Sequence, residues 1–222
     1  MTLYSYCLRV DDGAAPNPYW GVCTLVICKP AIRRVAQVGD WVVGLGSTAS
    51  PIGDLSGHVV YGMRVAKSMS MEDYDKYCAR RLPGKVPRWG SRDFKRRVGD
   101  CIYDFSTDSL PSVRTSVHTE RNRSVDLGGR NALLSKHFYY FGNHPRLLPA
   151  HLNSIVHQTQ GHKSRANADY VDAFVEWIEG LGLKPNRLYG TPQHKRLIMT
   201  DPDARGACSV KNLEEDGEDE VC

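Results

Sequence analysis

CTLVICKPAIRRVAQVGDWVVGLGS, residues 23–47, is the stretch whose order of elements decides the fold. CTLVIC (23–28) is a short apolar run that suits a strand. In KPAIRRVAQ (29–37) a proline stands at the second position, and Ile32, Val35 and Ala36 share one face. That pattern predicts a short helix with proline in its first turn. VGDWVVGLGS (38–47) reads as a Gly-Asp turn entering a strand. Upstream, TLYSYCLRV (2–10) alternates enough to be a strand, and Gly13, Pro16, Pro18 and Gly21 break the chain into a loop. Downstream, TASPIGDLSG is a loop and HVVYGMRVAKS (58–68) the next strand. MEDYDKYCARRL (71–82) is a helix, with Ser70 as N-cap and two acids in its first turn.

Beyond that, PGKVPRWGSRDFKRR (83–97) has no clear period, CIYDF (101–105) is a short strand, and 106–130 is polar and loop-like. ALLSKHFYYFG (132–142) reads as an aromatic-rich strand pair. NADYVDAFVEWIEGLGL (167–183) is the clearest helix: Tyr170, Val171, Phe174, Val175, Trp177, Ile178 and Leu181 form a wide apolar stripe, capped by Gly180 or Gly182. The expected architecture is one α+β domain over 1–203 with mixed, mainly antiparallel strands. A disordered acidic tail is expected over 204–222.

The chain has 222 residues, 41% of them hydrophobic and 24% charged, with a mean hydropathy of -0.42. Those values exclude collagen-like, wholly disordered and membrane-spanning classes, and no apolar run approaches the roughly 18 residues a bilayer-crossing helix needs. The start of the chain lacks the basic and apolar regions of a signal peptide, so a cytoplasmic protein is expected. Seven cysteines, at 7, 23, 28, 78, 101, 208 and 222, form no CxxC pair and make a poor disulfide framework. The net charge of +4 hides an asymmetry: residues 211–222 carry -5, which leaves +9 for the body. A basic body with an acidic tail suits a protein that binds polyanions.

Three stretches stand out for chemistry. In 11–30, Asp11, Asp12, Asn17 and Lys29 surround Tyr19 and Trp20 in a proline-fixed loop that could stack a base and bond its edge. The alternative is a packed turn. Cys23 or Cys28 with Asp12 would make a thiol site; no histidine lies within thirty residues of Cys23 along the chain, so a base would have to arrive through the fold. In 38–47, Gly44, Gly46 and Ser47 allow close approach to Trp41. In 80–97, Arg80, Arg81, Lys85, Arg88, Arg92, Lys95, Arg96 and Arg97 face Asp93 alone, interleaved with Trp89 and Phe94. That pattern suits phosphate neutralisation with aromatic stacking, or a merely solvated loop. Histidines at 137, 144, 151, 157 and 162 recur without ligand spacing, so no metal is expected.

YSYCLRVDDGAAPNPYWGVCTLVICKPAIR (4–33), VGDWVVGLGS (38–47) and LLSKHFYYFG (133–142) together resemble the nucleotide modification associated domain families, most closely the second of that numbered set. The resemblance implies a role in DNA or nucleotide modification, in phage or bacterial settings and beside base-modifying enzymes. More distantly, the order strand, helix, Gly-Asp turn and strand resembles the PUA-like superfamily (EVE, ASCH and YTH domains), which implies a barrel with a base pocket. Carried over by position, that pocket would hold Trp20, Asp40, Trp41, Gly46 and Ser47, with Asp12, Asn17, Cys23 and Lys29 beside it. Leu45-Gly46-Ser47 stands where EVE domains end in Tyr-His-Ser. The expectation is therefore a protein that recognises a modified or flipped base, backed by the basic 80–97 surface with Trp89. The alternative is an enzyme acting on a base through Cys and Asp. The expected partners are nucleic acid, DNA ahead of RNA, and a base-modifying enzyme, with no cofactor.

Overall fold

The computed structural model describes residues 1–107, 110–159 and 161–201. The acidic tail expected over 204–222 lies outside the described residues. In chain order the elements are β1 (Leu3–Leu8), β2 (Cys23–Leu25), α1 (Pro30–Val35), β3 (Trp41–Gly46), β4 (His58–Arg64), β5 (Lys67–Ser70) and α2 (Met71–Arg81). There follow α3 (Phe94–Arg97), β6 (Tyr103–Asp104), β7 (Ser112–Val113), α4 (Arg123–Gly128), β8 (Asn131–Ser135) and β9 (His137–Tyr140). The last are β10 (Arg146–Leu147), α5 (Val171–Gly180), β11 (Arg187–Leu188) and α6 (Lys195–Thr200). No helix among the described residues is long and apolar enough to cross a membrane.

The strands form three sheets, ordered β1-β3-β4-β9-β11 with β10 also on β4, then β2-β8-β5, then β6-β7. The β1–β3 and β9–β11 pairs are parallel and the other pairs antiparallel. The mixed, mainly antiparallel α+β expectation agrees with this. The barrel does not: among the described residues the sheets stay open. Parallel pairing of β1 with β3 requires a crossover, and the crossover segment, carrying β2 and α1, builds the second sheet with β8 instead of closing the first.

Both faces of β1 and β3 are covered, which explains why β3 reads as a near-continuous apolar run. Trp41, Val43 and Leu45 pack with Leu3 against Phe174 and Ile178 of α5. Val42, with Tyr4, Tyr6 and Leu8, faces the larger core shared with β2 and β8. Burying Phe174 and Ile178 completely contributes about 1.5–3 kcal/mol each. At Gly62 of β4 a Cβ would meet Ile178 at 2.8 Å, so the bare backbone lets α5 sit close. Ser70 caps α2 as expected, its hydroxyl accepting from the Asp73 N–H at 3.0 Å. The helix expected over 167–183 begins as a 3-10 turn (Arg165–Tyr170) and becomes α-helical at Val171.

Candidate active site

The chain leaves β2 and turns sharply before α1. Cys28 and Lys29 both occupy the left-handed region, with φ of 59° and 44°. Two successive side-chain-bearing residues there cost about 1–2 kcal/mol each, so the surroundings must hold them. The Cys28 N–H donates to Asp126 Oδ1 at 2.8 Å, and the Cys28 carbonyl accepts from Arg33 Nε at 2.7 Å. Arg33 lies on α1 and is completely buried. Its guanidinium also donates to the carbonyls of Asp126 and Asn131. One arginine thus ties the elbow, α1 and α4 together.

His118 arrives from the polar segment between β7 and α4. The Thr119–Asn122 capping box starts the turn that leads into α4, and so fixes His118 relative to Asp126 one helical run later. His118 Nδ1 stands 2.6 Å from Asp126 Oδ2, and His118 Nε2 stands 3.4 Å from Cys28 Sγ. Tyr103 donates to the same Asp126 Oδ2 at 2.7 Å. Burial opposes a charged imidazole, but Asp126 and Cys28 outweigh it and hold His118 well above its ordinary value. Burial likewise works to raise Asp126, and His118 with Arg33 overcomes it, keeping the carboxylate below its usual range. Thiol, imidazole and carboxylate in this order are the groups that thiol catalysis uses as nucleophile, base and orienting group. A base made stronger than usual takes the thiol proton more readily.

Cys28 and His118 open on a cavity whose wall includes Tyr6, Arg9, Asp12 and Lys29. It is a small slot of about 20 Å³. The Lys29 ammonium lies 5.1 Å from the Tyr6 ring centroid. Burial pushes the Asp12 carboxyl up, partly offset by the Ala14 N–H and by His118. Of the thiol-site candidates read from sequence, Asp12 and Cys28 therefore share one cavity. Cys23 is fully buried on β2, and burial pushes its thiol up to about 12.

The positions expected to line a base pocket are dispersed. Lys29 is on the slot. Asn17 is buried, donating to the Val98 carbonyl and accepting from Lys85 at 2.8 Å. Trp41 packs edge-on against Phe174 on the far face of the first sheet. Asp40 accepts from the Thr2 and Gln37 N–H groups, which closes the turn before β3. A Cβ at Gly46 would collide with Leu55 at 2.3 Å, so no base enters there. Ser47 accepts from the Ala49 N–H at 3.1 Å. Trp20 is 39% exposed and belongs to another surface.

That surface is the basic one. The Arg96 guanidinium lies 5.9 Å from the Trp20 ring, Arg97 5.6 Å from Trp89, and Lys95 5.9 Å from Tyr19. From α6, Lys195 adds a fourth pair, 5.7 Å from Phe94. Arg88 and Arg92 are exposed on the same segment. Arg80 and Arg81 line a separate groove beside α2 with Lys67 and Tyr77. Lys85 differs from its neighbours: it is completely buried, and its ammonium donates to the Asn17 carbonyl, Asn17 Oδ1, the Val22 carbonyl and Thr24 Oγ1 at 2.7–2.8 Å. Thr24 passes a hydrogen bond to Asp100, which Tyr74 also reaches at 2.7 Å. Lys85 therefore fastens the loop before β2 and touches no solvent.

Sequence reasoning missed His118, Asp126 and Arg33. His118 and Asp126 fall in a stretch without apolar period, and Arg33 resembles any helix-surface arginine. The one local signal was Cys-Lys-Pro ahead of a short helix. Among the described residues no group of His, Cys, Asp and Glu gathers as a metal site.

Residues 1–198 match the family model of nucleotide modification associated domain 2. No curated protein and no solved structure gives a significant match. With nearly all of the described fold inside the matched span, the chain belongs to the nucleotide modification associated domain 2 family.

Proposed function

We propose that the protein is a thiol enzyme of a nucleotide modification system, with Cys28 as nucleophile, His118 as its base and Asp126 as the orienting carboxylate. The observation that carries this is the Cys28–His118–Asp126 chain at 3.4 and 2.6 Å, opening on the slot. The substrate is a nucleotide borne on nucleic acid. Support for a polyanionic partner comes from the face where Trp20 and Trp89 stack with Arg96 and Arg97 beside exposed Arg88 and Arg92. Cations neutralise phosphates while exposed rings accept bases. Family membership supports the nucleotide context. Recognition of a base by Asp40, Trp41, Gly46 and Ser47 has less support, because these residues are held in packing and turns away from the slot.

The test is nucleoside mass spectrometry. DNA carrying natural base modifications is incubated with the wild-type chain and with Cys28→Ala, then digested to nucleosides. A mass change that needs Cys28 is the expected result. A change that survives Cys28→Ala contradicts the assignment.

A further inference from the structure

Trp20 stands in the left-handed region, with φ of 65°, which disfavours every residue that carries a Cβ. It is also 39% exposed, so its burial does not account for that strain. The ring is nevertheless held. A Cβ built on Gly84 would stand 2.3 Å from Trp20 Cδ2, 2.4 Å from Cε2 and 2.8 Å from Cγ. Cδ2 and Cε2 form the bond that the two indole rings share, so only a face of the indole can come that close. The bare backbone of Gly84 therefore supports one face of the ring. Arg96, 5.9 Å from the ring, donates to the carbonyl of Pro83, the residue before Gly84.

Cations surround this fixed ring. Arg88, Arg92 and Lys95 are exposed on its own segment, and Lys195 and Arg196 on α6, which Arg97 ties to that segment through the Ile198 carbonyl. Asp93, the acid among them, caps α3 by accepting from the Lys95 N–H. Such a charge balance suits a polyanion, and a ring held among the charges offers a face to a base. In a duplex the neighbouring bases cover both faces of each base, so a ring fixed on its backbone reaches only a base outside the stack. Trp20 lies five residues from Ala15 on the slot wall, at most about 18 Å of chain. A strand that meets both Cys28 and Trp20 is unpaired at two places, which a duplex flipping out one nucleotide does not provide.

We infer that Trp20, backed by Gly84 and flanked by Arg96, is a stacking platform for an unpaired base beside the nucleotide presented to Cys28, and that the substrate is single-stranded. This rests on reading the substrate as a nucleotide borne on nucleic acid, and adds its strandedness.

The test is fluorescence anisotropy of the full chain with labelled probes at one salt concentration: a single-stranded DNA of about 12 nucleotides, the duplex of the same sequence, and an abasic strand of the same length. Charge alone favours the duplex, which carries a phosphate every ~1.7 Å of axis against ~3.4 Å for one strand. The expected order is the reverse, with the single strand bound about tenfold or more tighter than the duplex and the abasic strand. Trp20→Ala is expected to remove that advantage and leave abasic binding unchanged, while Trp20→Phe keeps most of it. The comparison of intact with abasic strands needs no variant, so it decides even where Trp20→Ala folds poorly. Duplex bound as tightly as single strand would overturn the strandedness. Equal binding of intact and abasic strands, or wild-type affinity in a folded Trp20→Ala, would overturn the platform and leave a protein partner for that ring. Binding of none of the probes would remove nucleic acid as the carrier of the substrate.

Discussion

Asp126 holds Cys28 by both ends of its carboxylate. Oδ1 accepts the Cys28 N–H at 2.8 Å, and Oδ2 orients His118, whose far nitrogen faces the Cys28 thiol at 3.4 Å. One side chain therefore fixes both the strained elbow that carries the proposed nucleophile and the imidazole that faces it. The two halves are 98 residues apart in sequence, and the buried Arg33 fastens them together.

Gly129 tests that fastening without touching the reacting groups. Its backbone is ordinary, with φ of -71° and ψ of -16°, so alanine fits the chain. A Cβ there would stand 2.3 Å from the Arg33 guanidinium. Gly129→Ala is expected to lower stability by about 1–3 kcal/mol through overpacking, measured by urea unfolding, and to slow Cys28 alkylation. Gly128→Ala, with nothing within 4 Å of its added carbon, is expected to do neither.

Lys85 anchors the loop that carries Asp12. Replacing it by methionine keeps the volume but strands the Val22 carbonyl and leaves Asp100 without the positive charge that offsets its burial. Lys85→Met is expected to destabilise by about 3–5 kcal/mol, read from the denaturation midpoint. Weaker DNA affinity with unchanged stability would instead make Lys85 a phosphate-binding group.

Asp11 gives a pH signature. Burial, eased by hydrogen bonds from Tyr140 and Gln193, pushes its carboxyl from 3.8 up to about 7. The folded state thus holds a proton that the unfolded chain gives up, so this contribution is full at low pH and is lost as pH rises toward about 7. Within that window the slope is about 1.4 kcal/mol per pH unit for one proton. Asp11→Asn is expected to remove this fall when stability is measured against pH. An unchanged slope would place the titration elsewhere.

Arg88 and Arg92 test the nucleic-acid face, since both are exposed whereas Arg96 and Arg97 also bond to backbone carbonyls. Arg88→Glu with Arg92→Glu is expected to weaken binding of a single-stranded oligonucleotide. The steepness of its salt dependence is expected to fall by about 0.7 for each phosphate no longer neutralised. Affinity that ignores both changes would move the interface to another surface.

The strands and helices with clear periods were legible in the sequence: the CTLVIC–KPAIRRV–WVVGLG order, the Ser70 cap and the apolar stripe of α5. The open sheets were not, because strand order depends on partners: β2 pairs with β8, more than a hundred residues later, and no local pattern encodes that. Cys28 and Asp12 could be singled out in the sequence from their rigid loop. His118 could not, since what a histidine faces is set by the fold. Lys85 read as one cation among eight; burial made it different.

The most direct test of the central assignment is the rate at which iodoacetamide labels each cysteine at pH 7, resolved by peptide mapping in the wild-type chain and in His118→Ala. Cys28 is expected to react faster than Cys23, whose thiol burial pushes up to about 12, and to slow by about tenfold or more when the imidazole is removed. If Cys28 labels no faster than Cys23, or is indifferent to His118, the Cys28–His118–Asp126 assembly is a packing arrangement and the enzyme assignment fails.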